Sequence, residues 1–109
     1  MPTAEVVLSP IASAACADLQ PKQAKKLAWW VERLKQDPFV GDQLPKARIP
    51  ESLARRHGLP ATPPNLWRLE LPLAFRILYT VRGSRSQGIV VAVLEILSHR
   101  DYDRLLGYG

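Results

Sequence analysis

An α+β fold is predicted by three features of this sequence: an N-terminal strand and a helical hairpin packed on one face of a small, mainly antiparallel β-sheet, with a short C-terminal turn or helix. Residues 66–71, 74–82 and 89–97 have strand length and either alternate or run apolar, and turn residues separate them. Residues 21–35 carry apolar side chains at helical spacing. A short apolar run, AEVVL, stands at residues 4–8. With 109 residues there is room for one domain, spanning residues 1–109, with a real core but modest stability.

Taken in order, residues 4–8 are expected as an edge strand of the same sheet. Ser9 and Pro10 then open a short alanine-rich helix ending near Leu19, with serine as N-cap and proline at the first position, where its missing N–H costs nothing. Asp18 or Gln20 caps a second helix that has Pro21 in its first turn. Along it Ala24, Leu27, Val31 and Leu34 form the apolar stripe with Trp30 beside them, while Lys22, Lys25, Lys26, Glu32, Arg33 and Lys35 face water. Trp29 falls off the stripe. It either packs on the following loop or stands exposed for a partner. Residues 37–64 are punctuated by six prolines and two glycines and read as loop, apart from a short helix from Pro50 to His57 closed by Gly58. Lys46, Arg48, Arg55, Arg56 and His57 make this the densest basic patch of the chain.

The last part reads as a three-strand antiparallel meander. In the first strand Trp67, Leu69 and Leu71 point one way and Arg68 and Glu70 the other, and Pro72 ends it. In the second, Phe75, Ile77, Tyr79 and Val81 share a face opposite Arg76, Leu78, Thr80 and Arg82. The segment GSRSQG suits a hairpin loop longer than two residues. The third strand is apolar on both sides except at Glu95, which suits a central position. Strict alternation groups Glu95 with Ile89, Val91, Val93, Leu97 and His99, and turns Val90, Ala92, Leu94 and Ile96 toward the helices. The face away from the helices is expected to be open. On it Arg68, Glu70, Arg76 and the His99–Arg100 pair converge from three strands.

A net charge of +5 favours a polyanionic partner or an acidic protein partner, the alternative being that the excess charge serves solubility alone. The longest uninterrupted apolar run, residues 89–94, is far too short to span a bilayer, so no membrane partner is expected. Glu5 and the absence of Lys or Arg before Lys22 argue against a secretory signal, although SAAC at residues 13–16 loosely resembles a lipoprotein cleavage site; the chain reads as cytoplasmic. The single Cys16 cannot form an internal disulfide and reads as a small packed residue. Two histidines and no cysteine pair argue against a structural metal site, and no cofactor is expected.

The strand–hairpin–meander order, with WRLEL, FRILYTV and ILSHRDY on the meander, resembles the RelE/ParE superfamily of bacterial and archaeal type II toxins. The likeness covers nearly the whole chain. Its most specific parts are the aromatic-Arg-aliphatic-aliphatic-Tyr unit FRILY and the His-Arg that closes the last strand. The resemblance implies a toxin neutralised by a cognate antitoxin protein. In the RelE branch such a toxin enters the ribosome, cuts mRNA and stops translation; in the ParE branch it poisons DNA gyrase. By the same resemblance Arg76 stands at the phosphate-binding arginine and Arg100 at the arginine after the last strand. Arg68 stands where the family often has the first of two lysines. Glu70 occupies the second such position with reversed charge, and Tyr102 lies somewhat earlier than the family's tail tyrosine, with Tyr108 as the other candidate.

These residue types suit an endoribonuclease, an mRNA interferase that uses neither metal nor cofactor. The RNA 2′-hydroxyl attacks the adjacent phosphate, and pre-placed guanidinium groups neutralise the charge that gathers on the phosphate oxygens. Arg76 and Arg100 are the expected clamps, with Arg68 as a third. An arginine stays protonated, so Glu70, His99 or Tyr102 must move the protons, and His99 has the most suitable ordinary pKa. Against this stand structural roles: a salt bridge for Glu70, a hydrogen bond at the sheet end for His99, packing of a C-terminal turn for Tyr102. The alternative from a different class is a ParE-like gyrase inhibitor or a non-catalytic binding protein on a toxin fold.

Overall fold

The computed structural model describes residues 4–84 and 86–107. Five strands and four helices follow in the order β1 (Ala4–Leu8), α1 (Pro10–Ala15), α2 (Pro21–Gln36), β2 (Asp42–Gln43), α3 (Ser52–Arg56), β3 (Trp67–Leu71), β4 (Phe75–Ser84), β5 (Gly88–Ser98) and α4 (His99–Leu106). Single 3₁₀ turns stand at Cys16–Asp18 and Lys46–Arg48. The sheet is mixed and ordered β1-β5-β4-β3-β2. β1 runs parallel to β5, and the other pairs are antiparallel. The α+β class, the edge strand and the meander expected from sequence are therefore all present, and the last strand lies inside the sheet.

Local chemistry fixes the helix ends. Ser9 Oγ accepts the Ala12 N–H at 3.0 Å and donates to the Leu94 carbonyl at 2.7 Å, so one hydroxyl caps α1 and ties it to β5. Gln20 precedes α2 and its N–H donates to Gln23 Oε1 at 2.8 Å. The same Gln23 side chain, buried, donates through Nε2 to the Pro72 carbonyl. Two turns along, Trp30 Nε1 donates to the Glu70 carbonyl at 2.9 Å. α2 thus covers with side chains the carbonyls that β3 presents beyond its short pairing with β2.

On the side of α1 and α2 the core gathers Ala12, Leu27 and Leu34 over Leu69, Leu71, Ile77, Tyr79, Val81, Val91, Val93 and Ile96. The alternation read for β3 and β4 holds. On β5 it does not. Leu78 pairs with Glu95 but Tyr79 pairs with Val93, so Leu94 is an extra residue, a β-bulge. The bulge switches parity: Val91 and Val93, not Val90, Ala92 and Leu94, pack toward α1 and α2, and Ile96 joins them beyond it.

The opposite face is not open. Leu44, Ile49, Leu53, Leu66, Leu78, Leu94, Tyr102 and Leu106 form a second buried cluster, supplied by the loop before β3, by α3 and by α4. The physical reason is in the sequence: Leu78 and Leu94 on this face are apolar, and a sheet face with exposed leucines binds whatever amphipathic segment the chain offers next. The basic residues therefore sit at the rim of a covered face.

Candidate functional site

The site begins with alternation on β3 and β4. Arg68 and Arg76 lie on the face away from α1 and α2, and α4 brings Tyr102 over them. Ser98 caps α4 by accepting the Asp101 N–H at 3.2 Å, and Gly107 ends it at φ 76°. This fixes the turn that buries Tyr102, which is 3% exposed. The guanidinium carbons of Arg68 and Arg76 lie 6.0 and 5.9 Å from the centre of the Tyr102 ring. Both are within the reach of a cation–π attraction, at its outer limit.

Arg68, with 30% of its side chain exposed, donates to Tyr102 Oη at 3.4 Å and to Asp42 Oδ2 at 3.3 Å. The Tyr102 hydrogen bond raises its pKa against the pull of burial, and Asp42 adds to the rise. Arg76, with 18% exposed, donates to the Phe75 carbonyl at 3.3 Å. Glu70 stands directly across the strand pair from Arg76, but its carboxylate is 3.9 Å from Arg76 Nε, an ion-pair distance beyond hydrogen bonding. The Nε atoms of both arginines are buried and have no hydrogen-bond partner. An unmet buried donor costs about 1–3 kcal/mol, so this face is held at some expense to the stability of the fold.

Arg68, Glu70, Arg76 and Tyr102 are thus brought together. Among the described residues no hydrogen bond or ion pair joins His99 or Arg100 to Arg68, Glu70 or Arg76. His99 and Arg100 are both exposed at the start of α4, and His99 Nε2 lies 3.1 Å from Asp103 Oδ2 on the same helix. Arg100 precedes Tyr102 by two positions, about 200° round the helix, so it projects away when Tyr102 projects inward. Tyr108 lies outside the described residues. Trp29 is 51% exposed, with its edge to Trp30 and Lys26 Nζ 4.0 Å over its ring. Phe39, not Trp29, closes the loop side by packing on Trp67.

A second polar cluster was only half legible. Glu95 is fully buried on β5, and its carboxylate takes Arg56 Nε at 2.6 Å and Nη2 at 3.1 Å, while His57 Nε2 lies 2.6 Å from Oε2. The hydrogen bond to Glu95 raises the Arg56 pKa. A lone carboxylate in an apolar strand announces a buried partner. What the sequence does not say is that the partners come from α3, nearly forty residues earlier.

Among the described residues no helix is long and apolar enough to cross a membrane. No protein-family model matches the chain, and neither a curated protein nor a solved structure matches it.

Proposed function

We propose that the chain is the toxin of a type II toxin-antitoxin pair of RelE/ParE kind, acting in the cytoplasm as a ribosome-dependent mRNA endoribonuclease. The observation that carries this is the pair of buried, unpartnered Nε donors of Arg68 and Arg76 beside one tyrosine. The two side chains are 30% and 18% exposed, so a phosphodiester meets the accessible part of each guanidinium group, and arginine forks suit its geometry. In the reaction the 2′-oxygen bonds to phosphorus as the bond to the 5′-oxygen breaks. The 2′-hydroxyl loses a proton, the 5′-oxygen gains one, and the products are a 2′,3′-cyclic phosphate and a 5′-hydroxyl. In this reading Glu70, exposed beside Arg76, takes the first proton, and the Tyr102 hydroxyl, hydrogen-bonded to Arg68, gives the second once substrate binding uncovers it. His99 and Arg100 act only where substrate bridges them to the pair.

Purified protein with ribosomes and a message tests the reading. Fragments ending in a cyclic phosphate are expected from the wild type and are lost in Arg68→Gln with Arg76→Gln, with an unchanged circular dichroism spectrum. Undiminished cleavage by the folded double variant contradicts the assignment. A second reading, a non-catalytic or gyrase-directed binding protein, is favoured by the deep burial of Tyr102 and by the negative charge of Glu70 beside Arg76. It predicts no cleavage product with or without ribosomes.

A further inference from the structure

Between α3 and α4 lies a cavity of about 440 Å³, lined by Ser52, Arg56, Glu95, Leu97, Asp101, Arg104 and Leu105. Its size is in the range of small-ligand sites. Its construction follows from element geometry. Ser52 and Arg56 are one turn apart on α3, Asp101, Arg104 and Leu105 share one side of α4, and Glu95 and Leu97 share a face of β5 below them. None of these side chains belongs to the Arg68–Arg76–Tyr102 cluster.

Three features describe the ligand. Glu95 clamps Nε and Nη2 of Arg56, which leaves Nη1 for another acceptor and holds the guanidinium plane still. A buried carboxylate with an arginine is not an efficient way to stabilise a strand; apolar residues of similar size do as well or better, so the clamp points to a positioning role. Asp101 adds an acceptor, while Arg104, 3.7 Å from it in a loose exposed pair, adds a donor and offsets its charge. With Arg56 opposed by Glu95 and Arg104 by Asp101, the lining has no excess charge for a free polyanion. Leu97 and Leu105 supply apolar surface.

From these we infer that the cavity binds a planar heterocyclic base, of purine-nucleoside chemistry, edge-on to Arg56 and Asp101 and with its faces against Leu97 and Leu105. Guanosine presents an acceptor oxygen beside two N–H donors, which matches an arginine next to an aspartate. The base has two sources, a free nucleoside or an unstacked nucleotide of an RNA strand. The site stands independently of the cleavage reading.

The test is an amide NMR titration of the full chain with guanosine and, separately, with a short single-stranded RNA containing one guanine. Shifts at residues 52–56 and 97–105 with guanosine support a free-nucleoside site; the same shifts with the RNA alone support the strand as the source. Leu105→Trp, which fills the cavity, and Asp101→Asn are each expected to weaken binding at least tenfold, while Lys22→Ala, exposed on α2 at the other side of the sheet, leaves it unchanged. Absence of these shifts with both ligands, or full binding by folded Leu105→Trp, overturns the inference. Cleavage lost with guanosine binding kept overturns the nuclease reading alone.

Discussion

Tyr79 sets a pH limit on the fold. Its ring is fully buried between Trp67 and the sheet, its hydroxyl accepts the Gly41 N–H at 3.0 Å, and burial pushes its pKa up to about 12. The folded value stands above the unfolded one near 10, so the native state keeps the proton longer. Its share of stability is complete below the unfolded value and is lost as pH rises through the folded one. At about 1.36 kcal/mol per pH unit the loss is on the order of 3 kcal/mol. Urea unfolding between pH 9 and 12 is expected to show that fall; Tyr79→Phe costs about 1 kcal/mol at neutral pH but flattens the alkaline slope. A second prediction concerns Glu95. Glu95→Ala strands Arg56 and His57 and is expected to cost about 3–5 kcal/mol in urea unfolding, whereas Glu95→Leu with Arg56→Met and His57→Leu recovers most of it. At this scale the sequence told which face Arg68 and Arg76 occupy, because alternation fixes faces. It did not tell that their Nε atoms go unpaired, which depends on how α4 lies.

At the scale of elements, the β3–β4 connection is strained. Leu73 and Ala74 both have positive φ, 65° and 59°, and neither is glycine. Left-handed backbone costs a side-chain-bearing residue about 1–2 kcal/mol, partly offset by glycine's greater freedom when unfolded, so Ala74→Gly is expected to raise stability by about 1 kcal/mol. A thermal melt checks it, and a fall in Tm contradicts it. The bulge at Leu94 makes a sharper claim. Deleting Leu94 leaves Glu95 next to Val93, so plain alternation keeps Glu95 and Leu97 on the α3–α4 side and Val91, Val93 and Ile96 on the other; the deletion variant is expected to fold with the Arg56–Glu95 pair kept and to lose about 2–5 kcal/mol of the buried Leu94 packing in urea unfolding, and failure to fold contradicts this. Helix starts at Ser9–Pro10 and Gln20–Pro21 were legible because capping is local. The bulge was not, since an apolar run has no polar side chain to reveal a change of parity, and the apparently open face was misread for want of the segments that return to cover it.

For the whole molecule, both faces of the five-stranded sheet are covered, and the two candidate sites lie at the margins of the α3–α4 layer. There two arginines with unused donors meet a tyrosine on one side, and a clamped arginine borders a cavity on the other. The first arrangement carries the proposal that the chain acts on RNA phosphate and is held in check by an antitoxin. The measurement that tests this most directly is 5′-end mapping of cellular RNA shortly after the protein is induced without an antitoxin. New ends at a fixed position within codons are predicted for the wild type and absent for Arg68→Gln with Arg76→Gln; growth arrest without new ends, or the same ends from the folded double variant, contradicts it.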